Sequence, residues 1–378
     1  MFKESVEFNM QKVLKSLGAR VVTGSAFTQA RYKVKAKLFE TLCQMTADTY
    51  EASQKILWKE YRLLAGDGST LNLPCSKDIE DYFGVHSITQ EGVKRYLARI
   101  FLFYDVLNDF VVRGKLSEME FGEKTLMLQC LETMAADKSI LILDRGFGHF
   151  CTLKKLMNEQ RVLCIRLPCE NSNFAKQALG RDEEDFITEW IPSNKERENC
   201  KKDGLDCVPI KVRVVKIRLN TGEVELLVTN LYDQQEITTK DLGELYHLRW
   251  GVEESFKNLK PKMKIEQFGC KKTEGIFQEF YAHIFCMNMV ALTGNIANEQ
   301  ITARTKHRKQ SYKYNWKNAY RFLRERIINF FHRQQIEQWL DGLIAEIVTS
   351  IIAIKPGRSF ARDMAASNKK GRITHYNK

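Results

Sequence analysis

Three acidic residues stand where side chains could hold a cation. Asp67 lies in Gly66-Asp67-Gly68 and is expected to end a short strand, Tyr61–Asp67. Asp144 follows the continuous apolar run Ser139–Leu143, which reads as a buried strand stopping at Asp144-Arg145-Gly146. In an α/β sheet, side chains at the carboxyl ends of strands face the ligand crevice. Carboxylates there are costly unless they bind cations or act on a substrate. Turn-capping aspartates would give the same pattern, and each residue taken alone favours that reading. The third, Glu253, belongs to Tyr246-x2-Arg249-x3-Glu253-x6-Lys260. Helical spacing would put Tyr246, Arg249, Glu253, Lys257 and Lys260 on one face. Such a stripe is either a solvated ion-pair face or a metal-binding carboxylate among cations that grip phosphate. Six lysines between Lys257 and Lys272, opposed by Glu266 alone, favour the second.

The elements that must position these groups follow from the apolar pattern. Residues 1–55 read as helices, with Phe27–Ala47 a helix carrying a basic face that includes Arg31, Lys33, Lys35 and Lys37. Strands at Tyr61–Asp67, Arg99–Val112 (one or two), Ser139–Leu143 and Arg161–Leu167 alternate with helices at Gly122–Ala136 and Phe150–Met157. That alternation argues for an α/β core. Residues 171–237 read as a β-rich insertion, with a hairpin around Asn220-Thr221-Gly222. The chain turns helical again from Asp241, and Trp316–Phe331 and Gln334–Ile354 read as amphipathic helices. A basic tail, expected to be disordered, follows Pro356. The expected division is a helical region at 1–55, a core in two parts at 56–170 and 238–300 around the insertion, and a basic helical region at 301–378.

Composition narrows the function. Of 378 residues, 59 are Lys or Arg and 47 Asp or Glu. Residues 1–300 hold 42 of each sign, so the whole net charge of +12 comes from 17 basic and 5 acidic residues after position 300. A neutral body with a basic end points to a polyanion, most often nucleic acid. The ten cysteines form no Cys-x-x-Cys pair and no zinc spacing, which suits a reducing compartment. No apolar run approaches the 18 or so residues of a membrane span, and Met1–Gly18 reads as an amphipathic helix, not a signal peptide. A soluble cytoplasmic protein with no membrane partner is expected. Phosphate-binding loop, His-Glu-x-x-His and Gly-x-Ser-x-Gly motifs do not occur.

The order Asp67, Asp144, Glu253 resembles the DDE transposases of bacterial insertion sequences, in their insertion-sequence-four branch. The Tyr-Arg-Glu-Lys stretch matches that branch without a gap, beside Leu64–Thr70, Leu141–Phe147 and Leu227–Leu231, and the resemblance runs from about Phe27 to about Asn295. It implies a ribonuclease-H-like mixed sheet flanked by helices, with a β-rich insertion before the last catalytic helix. It also implies that Asp67, Asp144 and Glu253 hold two Mg²⁺ ions, for which Mn²⁺ can substitute, in cut-and-paste transposition. Water would free the element's ends and a 3′-hydroxyl would then attack target DNA. By the same resemblance Tyr246, Arg249 and Lys260 grip a phosphate near the cleaved end, with Lys257 beside them. Some members pass through a DNA hairpin with an aromatic stacked on a flipped base; Trp190, the one Trp of the insertion, is the candidate, and core packing is its other reading. Trp250 is expected to face the core. Implied partners are terminal inverted repeats, target DNA and a second copy of the chain, in a bacterial cytoplasm and on the nucleoid when DNA is bound. With only 66 residues before Asp67, end recognition is expected to fall on Arg31–Lys37 and the basic C-terminal region. A derived DNA-binding protein that no longer cuts is the competing reading, and a general metal-dependent nuclease a third.

Overall fold

The computed structural model describes residues 6–169, 172–219, 222–330 and 335–355. Three helices come first: α1 (Val6–Ser16), α2 (Gly24–Arg31) and α3 (Ala36–Glu51). The helix expected over Phe27–Ala47 is thus two helices. The backbone breaks at Tyr32–Lys35, and α3 starts where the Ala36 amide donates to Glu274 Oε1 at 2.5 Å. A contact distant in sequence sets that boundary, which local spacing could not reveal.

The core then runs through β1 (Arg62–Asn72), α4 (Lys77–Phe83), a small hairpin of β2 (Ser87–Ile88) and β3 (Lys94–Arg95), β4 (Leu97–Asp105) and β5 (Phe110–Ser117). It continues with α5 (Glu123–Leu131), β6 (Ser139–Leu143), a 3-10 turn at Arg145–Phe147, α6 (Phe150–Asn158) and β7 (Val162–Arg166). Next come α7 (Asn173–Leu179), β8 (Asp185–Trp190), α8 (Asn194–Lys202), β9 (Ile210–Arg218) and β10 (Val224–Thr229). Gly222, in the turn joining β9 to β10, has a φ of +85°, a conformation glycine adopts without strain.

These strands form one sheet in the order β5-β4-β1-β6-β7-β10-β9-β8. β4 and β5 lie antiparallel to β1, whereas β6 and β7 run parallel to it. That is the ribonuclease-H-like mixed sheet. The strands between residues 171 and 237 extend it, because β10 pairs antiparallel with β7. Alternation sends Leu64, Leu141 and Leu143 to one face with α5 and α6, and Leu63, Ile140 and Ile142 to the other with α9 (Thr239–His247). All six are fully buried, each contributing about 2 kcal/mol of hydrophobic stabilisation.

After α9 come α10 (Trp250–Lys257), a π-helical turn at Asn258–Lys262 and α11 (Thr273–Thr305). A small two-stranded sheet of β11 (Tyr312–Tyr314) and β12 (Ile351–Ala353) brackets α12 (Trp316–Phe330) and α13 (Ile336–Thr349). The helix expected over Gln334–Ile354 therefore ends at Thr349, and β-branched Ile351 and Ile352 pair as strand instead. The tail expected to be disordered lies outside the described residues. One sequence expectation is corrected by α11, which has the length and composition to cross a membrane. It serves as a core helix: 56% of its apolar window is buried. It packs on the sheet and α3 on one side and on α12 and α13 on the other.

Candidate active site

The parallel register of β1 and β6 ends at Gly66 opposite Leu143. The next residues are Asp67 and Asp144, so two carboxylates leave neighbouring strands at one level. β1 does not stop there, contrary to the sequence reading. It runs on to Asn72, held by β4 alone through Asp67 opposite Leu102 and Thr70 opposite Arg99. Gly-Asp-Gly is extended backbone in this setting, and its glycines are there for closeness. A Cβ on Gly66 would sit 2.6 Å from Leu143 Cδ2 and 2.9 Å from both Phe101 and Phe103, and one on Gly68 would collide with Glu123.

Asp67 Oδ1 accepts the Gly68 amide at 2.8 Å, and Asp144 Oδ1 accepts the Gly146 amide at 2.9 Å while capping the 3-10 turn. Burial, and next the charge of Asp144, push Asp67 up to about 7; the Gly68 amide and Arg249 pull the other way. Carboxylates leaving neighbouring strands side by side form an all-oxygen donor pair, the chemistry a hard divalent cation satisfies.

The stripe from Tyr246 to Lys260 is not one helix. α9 ends at His247, α10 begins at Trp250, and the π-turn containing Pro261 widens the last winding. The faces are therefore reset. Tyr246 is buried among Leu63, Ile142 and Leu245, and its hydroxyl has no hydrogen-bond partner among the described residues. Arg249 is buried too, but it points into the site: Nη2 donates to Glu253 Oε1 at 3.1 Å and Nη1 lies 3.9 Å from Asp67 Oδ2. Lys260 Nζ donates to Ser69 Oγ at 2.7 Å, two residues along β1 from Asp67, and burial lowers its pKa. Lys257 instead is exposed and pairs with Glu254.

The fold therefore gathers Asp67, Asp144, Arg249, Glu253 and Lys260, and leaves Lys257 and the Tyr246 hydroxyl outside. Among the described residues no three His, Cys, Asp or Glu side chains converge closely enough to hold an ion, and Arg249 pairs with both Asp67 and Glu253. Of the two readings open for Trp190, core packing describes its place: it is 1% exposed, stacked on Phe174 at 4.3 Å and edge-on to Phe150. Trp250, expected in the core, is 41% exposed, with the Arg249 guanidinium 5.0 Å from its ring. The break at Leu248–Arg249 turned it outward, and the spacing held no sign of it. Of the basic face on Arg31–Lys37, Arg31 folds inward onto Gln278 and Glu279, and Lys37 pairs with Glu40.

The profile of the transposase DDE domain matches residues 58–289, more than half of the chain. The chain belongs to that family. It is also similar to the transposase InsG for insertion sequence element IS4 of Escherichia coli strain K12, with 21% identity over 276 residues. That alignment covers 71% of this chain and 60% of InsG, so the chain spans less than two thirds of the relative's length. Among solved structures, the piggyBac transposase synaptic complex with hairpin DNA aligns with 83% of this chain and 63% of its own, at 11% identity and a TM-score of 0.43. The family's matched span takes in both halves of the site, from β1 with Asp67 to α10 with Glu253.

Proposed function

We propose that this DDE-family chain cuts and joins DNA strands at the ends of a mobile element, with Asp67, Asp144 and Glu253 as the ligands of divalent metal, Mg²⁺ or Mn²⁺. The observation that carries this reading is the Arg249 guanidinium set between Asp67 and Glu253, with Asp67 held up to about 7 by burial and by the neighbouring charge of Asp144 in spite of that cation. When bound, divalent metal activates a water or 3′-hydroxyl oxygen and stabilises the departing one. Asp67 and Asp144 would hold the ion as carboxylates, Asp67 without its proton, and Glu253 would join them once released from Arg249. Arg249, once its carboxylate partners held metal, would offer its planar donors to a DNA phosphate. Lys260, steadied by Ser69, supplies a second cation beside β1. Exposed Lys257 adds to the field that attracts DNA. Buried Tyr246 seats the end of α9 against the sheet, which keeps Arg249 in place. Terminal repeats, target DNA and a second copy of the chain are the partners this chemistry needs, met in the bacterial cytoplasm.

Incubation with DNA carrying the gene's own flanks, in Mg²⁺ or Mn²⁺, tests the reading. Metal-dependent cuts at paired repeat ends are expected, abolished by Glu253→Ala or Asp144→Ala while DNA binding persists at low salt. Normal cutting by either variant would overturn the ligand assignment. Binding without cutting by folded wild-type protein would identify a DNA-binding descendant instead.

A further inference from the structure

A second cluster of reactive groups lies apart from the carboxylates. Cys151 Sγ and Cys200 Sγ are 2.8 Å apart, although 49 positions separate them in the chain. Cys151 is in the first turn of α6 and Cys200 in the last turn of α8, and both are buried. The Cys151 thiol also donates to the Glu196 carbonyl at 3.4 Å, one turn before Cys200, so it lies across the face of α8. Cys151 lines an open cleft of about 1380 Å³ together with Lys124, His149, Trp190 and Asn199, which gives a small oxidant a route to the pair. A disulfide needs an S–S distance of about 2.05 Å, so closure requires a movement of about 0.8 Å.

We propose that Cys151 and Cys200 are a reversible dithiol–disulfide pair that staples α6 to α8. The bond forms as both S–H bonds break. Two electrons and two protons pass to hydrogen peroxide, giving two waters, or to a small disulfide, giving two thiols. In the dithiol form, packing and the hydrogen bond from Cys151 to Glu196 join the two helices. In the disulfide form the cleft wall is tied to the segment that follows Asp144, since α6 begins just past the 3-10 turn. The pairing is independent of the DNA chemistry proposed for the carboxylates.

The full-length reduced chain, incubated without denaturant with glutathione disulfide or dilute peroxide, provides the test. Free thiols should fall from ten to eight. Peptide mapping should join Cys151 to Cys200, the thermal midpoint should rise by a few degrees, and dithiothreitol should reverse all three. Cys200→Ser should retain its nine thiols through the same treatment. Oxidation confined to exposed Cys75, a crosslink joining Cys200 to Cys207, or a lowered midpoint would overturn the proposal. The mapping of the wild-type chain needs no variant, so it decides the question even if Cys200→Ser misfolds.

Discussion

Arg249 governs the charge balance of the site, since one buried guanidinium serves Glu253 at 3.1 Å and Asp67 at 3.9 Å. A cation entering between those carboxylates competes with it. Arg249→Met should therefore tighten Mn²⁺ binding by about tenfold, measured calorimetrically without DNA, while weakening DNA binding. Weaker Mn²⁺ binding would show that Arg249 orders the ligands and does not compete for them. Asp67 adds a pH signature. An unfolded aspartate titrates near 4, and folded Asp67 near 7. Below pH 4 both states hold the proton and nothing is lost. Between about 4 and 7 the unfolded chain releases it first, so stability falls as pH rises; above 7 the loss is constant, on the order of 4 kcal/mol. Asp67→Asn escapes this, so its thermal midpoint without metal should pull ahead of wild type from pH 4 to 7 and stay level beyond. A pH-independent difference would refute the assignment. Asp144 was legible because an apolar run ended in front of it. The burial of Tyr246 and the exposure of Trp250 were not, because both depend on a two-residue break between helices.

At the scale of elements, β1 is where local chemistry and tertiary pairing part company. Gly66-Asp67-Gly68 reads as a turn by composition, yet the long antiparallel partner β4 keeps it extended to Asn72. No window on β1 alone contains that partner. The close approach at Gly66 gives a direct check. Gly66→Ala would press a methyl group against Leu143, Phe101 and Phe103 in a core with no slack, and should cost about 1–3 kcal/mol in denaturant melts. An unchanged midpoint would mean that those rings yield freely. The strands β6, β7, β9 and β10 were readable from apolar runs and a hairpin signal, since each is dominated by pattern within its own span. The split between α2 and α3 was not, because Glu274 lies more than two hundred residues away.

For the whole molecule, the uneven charge sets the terms of encounter with DNA. Neutral as far as residue 300 and basic beyond it, the chain should bind DNA with an affinity that falls steeply with salt, about 0.9 in log–log slope per phosphate neutralised. Lys306 and Lys309 are exposed just after α11. Replacing both with Ala should lower the slope by about 2 in filter-binding or anisotropy titrations. An unchanged slope would place DNA on another surface. Composition made this basic region visible, but not how it attaches. α11 joins it to the core: Asn288 exchanges hydrogen bonds with Val111 of β5, while Gly294, six residues on, lies against the Tyr314 ring of the C-terminal cluster. At 33 residues α11 is a strut about 50 Å long. A load applied at its basic end, as when a bound duplex is bent or pulled, would be passed at mid-helix, through Asn288, to β5, two strands from the one that bears Asp67. With DNA held there as proposed, tension on the nucleic acid and the spacing of the carboxylates would be mechanically linked.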